Sequence, residues 1–374
     1  MASLNPLHCT GTALRPHVLL AVKALFLCLI FKGYATKFTD VFVPVWPVLD
    51  LLPVGLLRPL LIAIFWGAGT TLLLNRAVRS CCIALGIVYL LAMSASIPAY
   101  RNAQVFCGLF FLMVGLTERD GDPWLLRWQV IVLYFGCGVN KFCEPDWRSG
   151  QYMEYWLREI VGAAPYGFVA DLLPAMLLSW LLCWMTIIIE LVVLPAGFAI
   201  RRFNRTAIWI AVFFHGASLA LTHNDFGIFF SAILLSLFSF IRWPRSITLL
   251  YDASDPVSLR RSRYVEMLRH SHLMAQVGVA PAVAPTERRF SVTVDGQDVG
   301  GFAAVQAVVG LSALTWLIMC IMVTEVPVIL KYLPFDLNPQ YPALAFGVVF
   351  FSPVTARLVD SRLRRRENSP LTSA

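Results

Sequence analysis

Charge is what this chain has least of: only 14% of its 374 residues are Asp, Glu, Lys or Arg, where a soluble domain carries about a quarter. With 58% hydrophobic residues and a mean hydropathy of +0.71, there is too little charge to cover a water-soluble surface. The expectation is an integral membrane protein. Acidic residues are the scarcer sign, 22 against 30 basic ones. The nine cysteines include no CxxC and no metal-ligand spacing, which argues against a zinc site and leaves buried structural thiols as the simplest reading. The basic residues are dispersed and belong to no recognised nucleic-acid-binding pattern, so nucleic acid is not an expected partner. Membrane lipid is, and the net charge of +8 favours anionic lipid.

What is present in quantity is apolar sequence. Ten runs approach the ~20 helical residues needed to cross a bilayer core: Val18–Tyr34, Leu56–Leu74, Cys81–Ile97, Ala103–Leu116, Trp124–Phe142, Leu177–Phe198, Ala207–Thr222, Phe226–Ile241, Ala304–Val323 and Pro342–Leu358. Phe168–Pro174 reads as a lead-in to the sixth. The fold class expected is therefore an all-α polytopic membrane protein of about eight to ten transmembrane helices, with a small cytoplasmic α/β insertion. Three blocks follow: 1–243, a transmembrane bundle; 244–302, a small α/β unit; and 303–374, apolar helices ending in the basic tail RLRRR. Arginine and lysine concentrate on one side of the runs, at Arg15, Arg76, Arg79, Arg119, Arg201, Arg202, Arg205 and the tail. The positive-inside rule then makes both termini cytoplasmic and places Lys141 on the opposite face.

The middle block starts with a strand at Ile247–Tyr251, turns at Asp252–Pro256 and continues as a charged helix, Val257–His270. A Pro/Ala loop, VGVAPAVAPTE, leads to a second strand, Phe290–Val294, and the turn Asp295–Gly296.

The residues able to carry chemistry sit mostly near Lys141, at the outer end of the fifth run. Tyr134, Cys137 and Gly138 share its face. A lysine partly buried on such a wall holds its proton less firmly and becomes a usable base; the competing reading is a headgroup anchor. The following segment, with a turn at Pro145, Trp147, Gly150 and an amphipathic helix from about Gln151, reads as a lid over the outer end of the bundle, or as an aromatic belt. His215, with Ser218, Leu219 and Thr222 on its face, forms a polar stripe at membrane depth. His223, Asn224 and Asp225 form the outward turn after it. Glu190 lies within an apolar run and needs a partner; the expectation is a structural pair with Lys23, away from Lys141.

The segments GVNKFCEPDWRSGQYM, Glu190 with RRFNR, FFHGASLALTHNDFGIFF and SFIRWPR occur in an order that resembles the HTTM family, the membrane domain of vitamin K-dependent γ-glutamyl carboxylase and its bacterial relatives. The resemblance spans roughly residues 15–245. It implies that Lys141 is the catalytic base toward a reduced vitamin K or menaquinone-like lipid quinone, with His215 catalytic beside it. Tyr134, Trp147, Gly150 and Ser218 are implied to line the quinone site. It further implies a secreted peptide or protein substrate. Two departures stand out: the carboxylases' Asn-His pair is replaced by Arg101 and Asn102 in PAYRNAQVF, and their large lumenal domain has no counterpart.

A second resemblance, of ITLLYDASDPV and of VDG with GFAAVQAV, is to the DCC family of thiol-disulfide oxidoreductase-like proteins, with Asp255 and Ser258 at its cysteine positions. Without a thiolate that implies a degenerate thioredoxin-like unit. The readings open at this point are a quinone-dependent carboxylase-like enzyme, a non-enzymatic factor for maturation or export of a small secreted peptide, and a transporter.

Overall fold

The structure is a computed structural model, and it describes residues 6, 12–34, 42–51, 53–119, 121–222, 228–241, 246–270, 277–281, 291–310 and 315. The chain is mostly helical, with one small mixed sheet. The apolar runs become α1 (Pro16–Phe31), α2 (Val54–Leu73), α3 (Val78–Ser94), α4 (Asn102–Leu116) and α5 (Trp124–Cys143). The sixth run is one continuous rod of α9 (Leu177–Ile188), a π-helical turn (Ile189–Val193) and α10 (Leu194–Ala199). The seventh and eighth become α11 (Asn204–Thr222) and α12 (Ile228–Ser236), the latter extended by a 3-10 turn, Leu237–Phe240.

Two of these, Gly55–Leu73 and Leu177–Ala199, are long and apolar enough to cross a membrane; α1, α3, α4 and Ile228–Phe240 are shorter apolar helices. The expected ninth run is described only through α14 (Phe302–Gly310), and the tenth lies outside the described residues. One apolar core, built from α1 to α5 and α10 to α12, holds the helices together; Phe65, Tyr89, Phe110 and Phe111 at its centre are fully buried.

Between α5 and α9 the chain makes three short helices, α6 (Pro145–Ser149), α7 (Gln151–Glu154) and α8 (Ala164–Ala170), with a π turn at Tyr155–Ile160. The expected turn at Pro145 is instead a helix start, since proline's fixed φ and missing N–H suit a first helical position. Phe168–Pro174 is not a lead-in to α9: α8 ends at Ala170, turns follow, and α9 begins at Leu177.

Ile247–Tyr251 forms β1, followed by α13 (Pro256–His270), β2 (Val277–Pro281), β3 (Ser291–Val294), β4 (Gln297–Gly300) and α14. The sheet order is β2-β1-β3-β4, with β1 parallel to β2 and the β3–β4 hairpin antiparallel to β1. VGVAP, expected as part of a loop, is the edge strand β2. Its proline closes the strand, where a missing N–H is tolerated. The unit has its own small core, in which Ile247, Leu249, Val265, Val292 and Ala304 are buried.

Candidate functional site

The last turn of α5 carries Lys141, and the neighbouring rod presents Glu190 to it. Their contact, Nζ to Oε2, is 2.5 Å, with the two side chains 20% and 10% exposed. This corrects the expectation that Glu190 lies away from Lys141 and pairs with Lys23. Lys23 instead donates to Asn75 Oδ1 at 2.6 Å and to the Pro6 carbonyl at 2.5 Å.

Two local features make the Lys141–Glu190 meeting possible. Pro195 has no N–H to give Leu191, and its ring would crowd that carbonyl in a regular α-helix. The π turn over Ile189–Val193 absorbs the mismatch and carries Glu190. Opposite it stands Gly138, one turn before Lys141: a Cβ there would come within 2.5 Å of the Leu191 amide nitrogen. The glycine lets the two backbones touch.

Trp147, the centre of α6, places its ring 5.2 Å from Lys141 Nζ. Both the carboxylate and the aromatic face favour the charged ammonium. The ammonium of Lys141 thus lies between a carboxylate and an aromatic face. Trp147 in turn stacks on Tyr152 at 4.3 Å. Gly150 ends α6 at φ +87°, and a Cβ there would lie 2.7 Å from the Trp180 amide nitrogen. Trp184 Nε1 donates to the Arg148 carbonyl at 3.2 Å. The segment around Gly150 is thus packed down on the first turns of α9.

Beyond the lid segment's first turn, Arg158 donates to Glu154 at 2.7 Å and to Asp171 at 3.0 Å, while the Tyr166 hydroxyl donates to Glu154. Burial alone would raise the Glu154 carboxyl, but those hydrogen bonds outweigh it and hold Glu154 below the ordinary carboxylate range. Burial and the Glu154 bond push Tyr166 up to about 12.

Deeper in the bundle, Tyr134 Oη and His215 Nε2 are 2.7 Å apart, both buried. Tyr134 stacks with Phe198 and His215 meets Phe230 edge-on at 4.5 Å. His215 Nδ1 has no hydrogen-bond partner among the described residues. Tyr134 lies seven residues, two turns, before Lys141 in α5, so the two pairs lie along one side of that helix as a polar patch in apolar surroundings. The Ser218 hydroxyl donates to the Phe214 carbonyl of its own helix at 2.9 Å. The side chains of Leu219 and Thr222, and all of His223–Asp225, lie outside the described residues.

Of the residues singled out in the sequence, the fold brings Lys141 against Trp147 and Tyr134 against His215, and uses Gly150 to seat the segment that carries Trp147. Glu190 is the member whose place was misjudged. Arg101 immediately precedes α4, and its guanidinium donates to the carbonyls of Pro98 and Tyr100.

These features define a helical bundle with a charged pair and a Tyr–His pair enclosed between its helices. Residues 122–243, from the start of α5 to just beyond α12, match the family model of the HTTM domain, a membrane-associated domain. The match covers about a third of the chain and contains every residue of the polar patch. No curated protein and no solved structure matches the chain.

Proposed function

We propose that the protein is a multi-pass membrane protein of HTTM type, with both termini cytoplasmic, that acts on a reduced lipid quinone at the Lys141 patch. The HTTM family is associated with vitamin K-dependent γ-carboxylase, and the observation that carries the reading is the Lys141–Glu190 pair beside Tyr134–His215, inside the matched segment. Multiple spans are supported by outward apolar side chains on helices beyond the two that are long and apolar enough to cross: Val132 and Phe135 on α5 and Phe213 on α11 are more than half exposed. Such surfaces need lipid or protein to cover them.

In this reading, a quinol hydroxyl approaches Lys141 from beneath the lid. For the amine to accept its proton, the ammonium proton first passes to Glu190 across the 2.5 Å contact. Lys141 then takes the quinol proton and, as an ammonium, stabilises the phenolate. His215, its tautomer set by Tyr134, offers Nδ1 to the second ring oxygen. O2 is the oxidant: one oxygen stays with the quinone product and the other leaves as water. The proposed reaction stops at quinol oxidation, because the carboxylases' Asn-His pair is replaced here by Arg101 and Asn102.

A second reading, a non-enzymatic factor for maturation of a secreted peptide, is favoured by the α/β unit. Its strand–helix–strand–hairpin order suits a thioredoxin-like core, yet Asp255 caps α13, its carboxylate accepting from Val257 N and Ser258 N where the resemblance would place a thiol. The purified protein given reduced menaquinone, O2 and bicarbonate separates the two. The enzyme reading expects quinol consumption; a chain that binds a small secreted peptide and leaves quinol untouched supports the factor.

A further inference from the structure

Helix α13 has a second face that the sheet does not use. It packs on β1 and β2 and buries Ser262 and Val265. At about 100° per residue, the opposite side presents Val257, Arg260, Arg263 and Tyr264, with Arg261 at one margin and Glu266 at the other. The three arginines are exposed, and Val257 and Tyr264 are 55% and 60% exposed. Over its length the helix, PVSLRRSRYVEMLRH, carries four arginines and one glutamate.

An aromatic and a β-branched residue among arginines suit a helix lying in a headgroup layer, where rings and short apolar chains enter the interface and guanidinium groups meet phosphate. Chain length places the helix near such a surface. Ile241 ends the α12 segment and β1 begins at Ile247, so the intervening chain extends no more than about 20 Å. It contains Arg242 and Arg245, the signature of the anionic cytoplasmic side.

We propose that α13 docks on the anionic leaflet of the membrane that holds the bundle, with Arg260, Arg261 and Arg263 on lipid phosphates and Val257 and Tyr264 in the interface. The α/β unit is thereby held flat against the cytoplasmic surface. The proposal rests on the membrane reading of the bundle. Each near-surface arginine adds about five-fold to partitioning onto an anionic leaflet, so three together give on the order of a hundredfold.

The test uses the full-length chain in nanodiscs, with Tyr264 replaced by photoreactive benzoylphenylalanine and adducts read by mass spectrometry. In discs containing phosphatidylglycerol the expected product is a lipid adduct, at least ten-fold more abundant than in phosphatidylcholine discs and reduced by high salt. The triple variant R260Q/R261Q/R263Q should lose that excess, while R260K/R261K/R263K, with the charge kept, should retain most of it. Equal adducts in both lipids, or adducts only to protein, from a chain that has inserted overturn this proposal alone. A chain that stays outside the discs overturns the membrane reading together with it.

Discussion

Lys141 and Glu190 are 49 positions apart, and each is legible in the sequence as a charge that an apolar helix cannot leave unmatched. Their pairing is not. Counting inward from Leu177 puts Glu190 about 20 Å down its helix, well below Lys141, if α9 starts at the level where α5 ends. It does not start there: Trp180 sits against Gly150 and Trp184 against Arg148, so the first turns of α9 rise beside the lid. Lys141→Ala or Glu190→Ala strands a buried charge, and each should cost about 3 kcal/mol. Thermal unfolding in detergent should show the double variant losing much less than the two single losses together. Gly138→Ala, which drives a methyl into the Leu191 backbone, should cost about 2 kcal/mol by the same measurement.

The helices themselves were readable because apolar runs and their breaks dominate the sequence: α4, α5 and the Leu177–Ala199 rod begin and end within a residue or two of the expected bounds. The π turns were not, since nothing in an apolar run announces one except a proline such as Pro195, whose effect on the preceding turn depends on packing against Gly138. Strand β2 was hidden for a different reason: its valines and alanine stand among prolines, and only pairing with β1 makes it a strand. The lid makes a pH prediction. Glu154 is held below its ordinary 4.5, so its contribution to lid stability is present above pH 4.5 and is lost as pH falls through its folded value. Tyr166 is raised from 10 to about 12, so its contribution is present below pH 10 and is lost as pH rises through about 12. Protection factors of residues 151–170, corrected for intrinsic exchange, should therefore fall below about pH 4.5, and Tyr166→Phe should weaken that acid dependence; a profile identical to the parent would contradict a stabilising Tyr166–Glu154 contact.

As a whole, the molecule joins a helical bundle to a small four-stranded sheet, and the proposed topology puts the Lys141 patch and the sheet on opposite sides of the membrane. The sidedness has a direct test. A cysteine at the exposed position Ser149 should react with an impermeant maleimide added outside intact cells, and protection there would invert the topology.

In the proposed reaction Lys141 acts as a base and not only as the partner of Glu190. Lys141→Met combined with Glu190→Leu removes both charges without stranding either, so the fold should survive. Quinol oxidation by that double variant, compared with the parent at equal folded concentration, is expected to fall by about a hundredfold or more. Turnover equal to the parent from a normally folded double variant would contradict the claim.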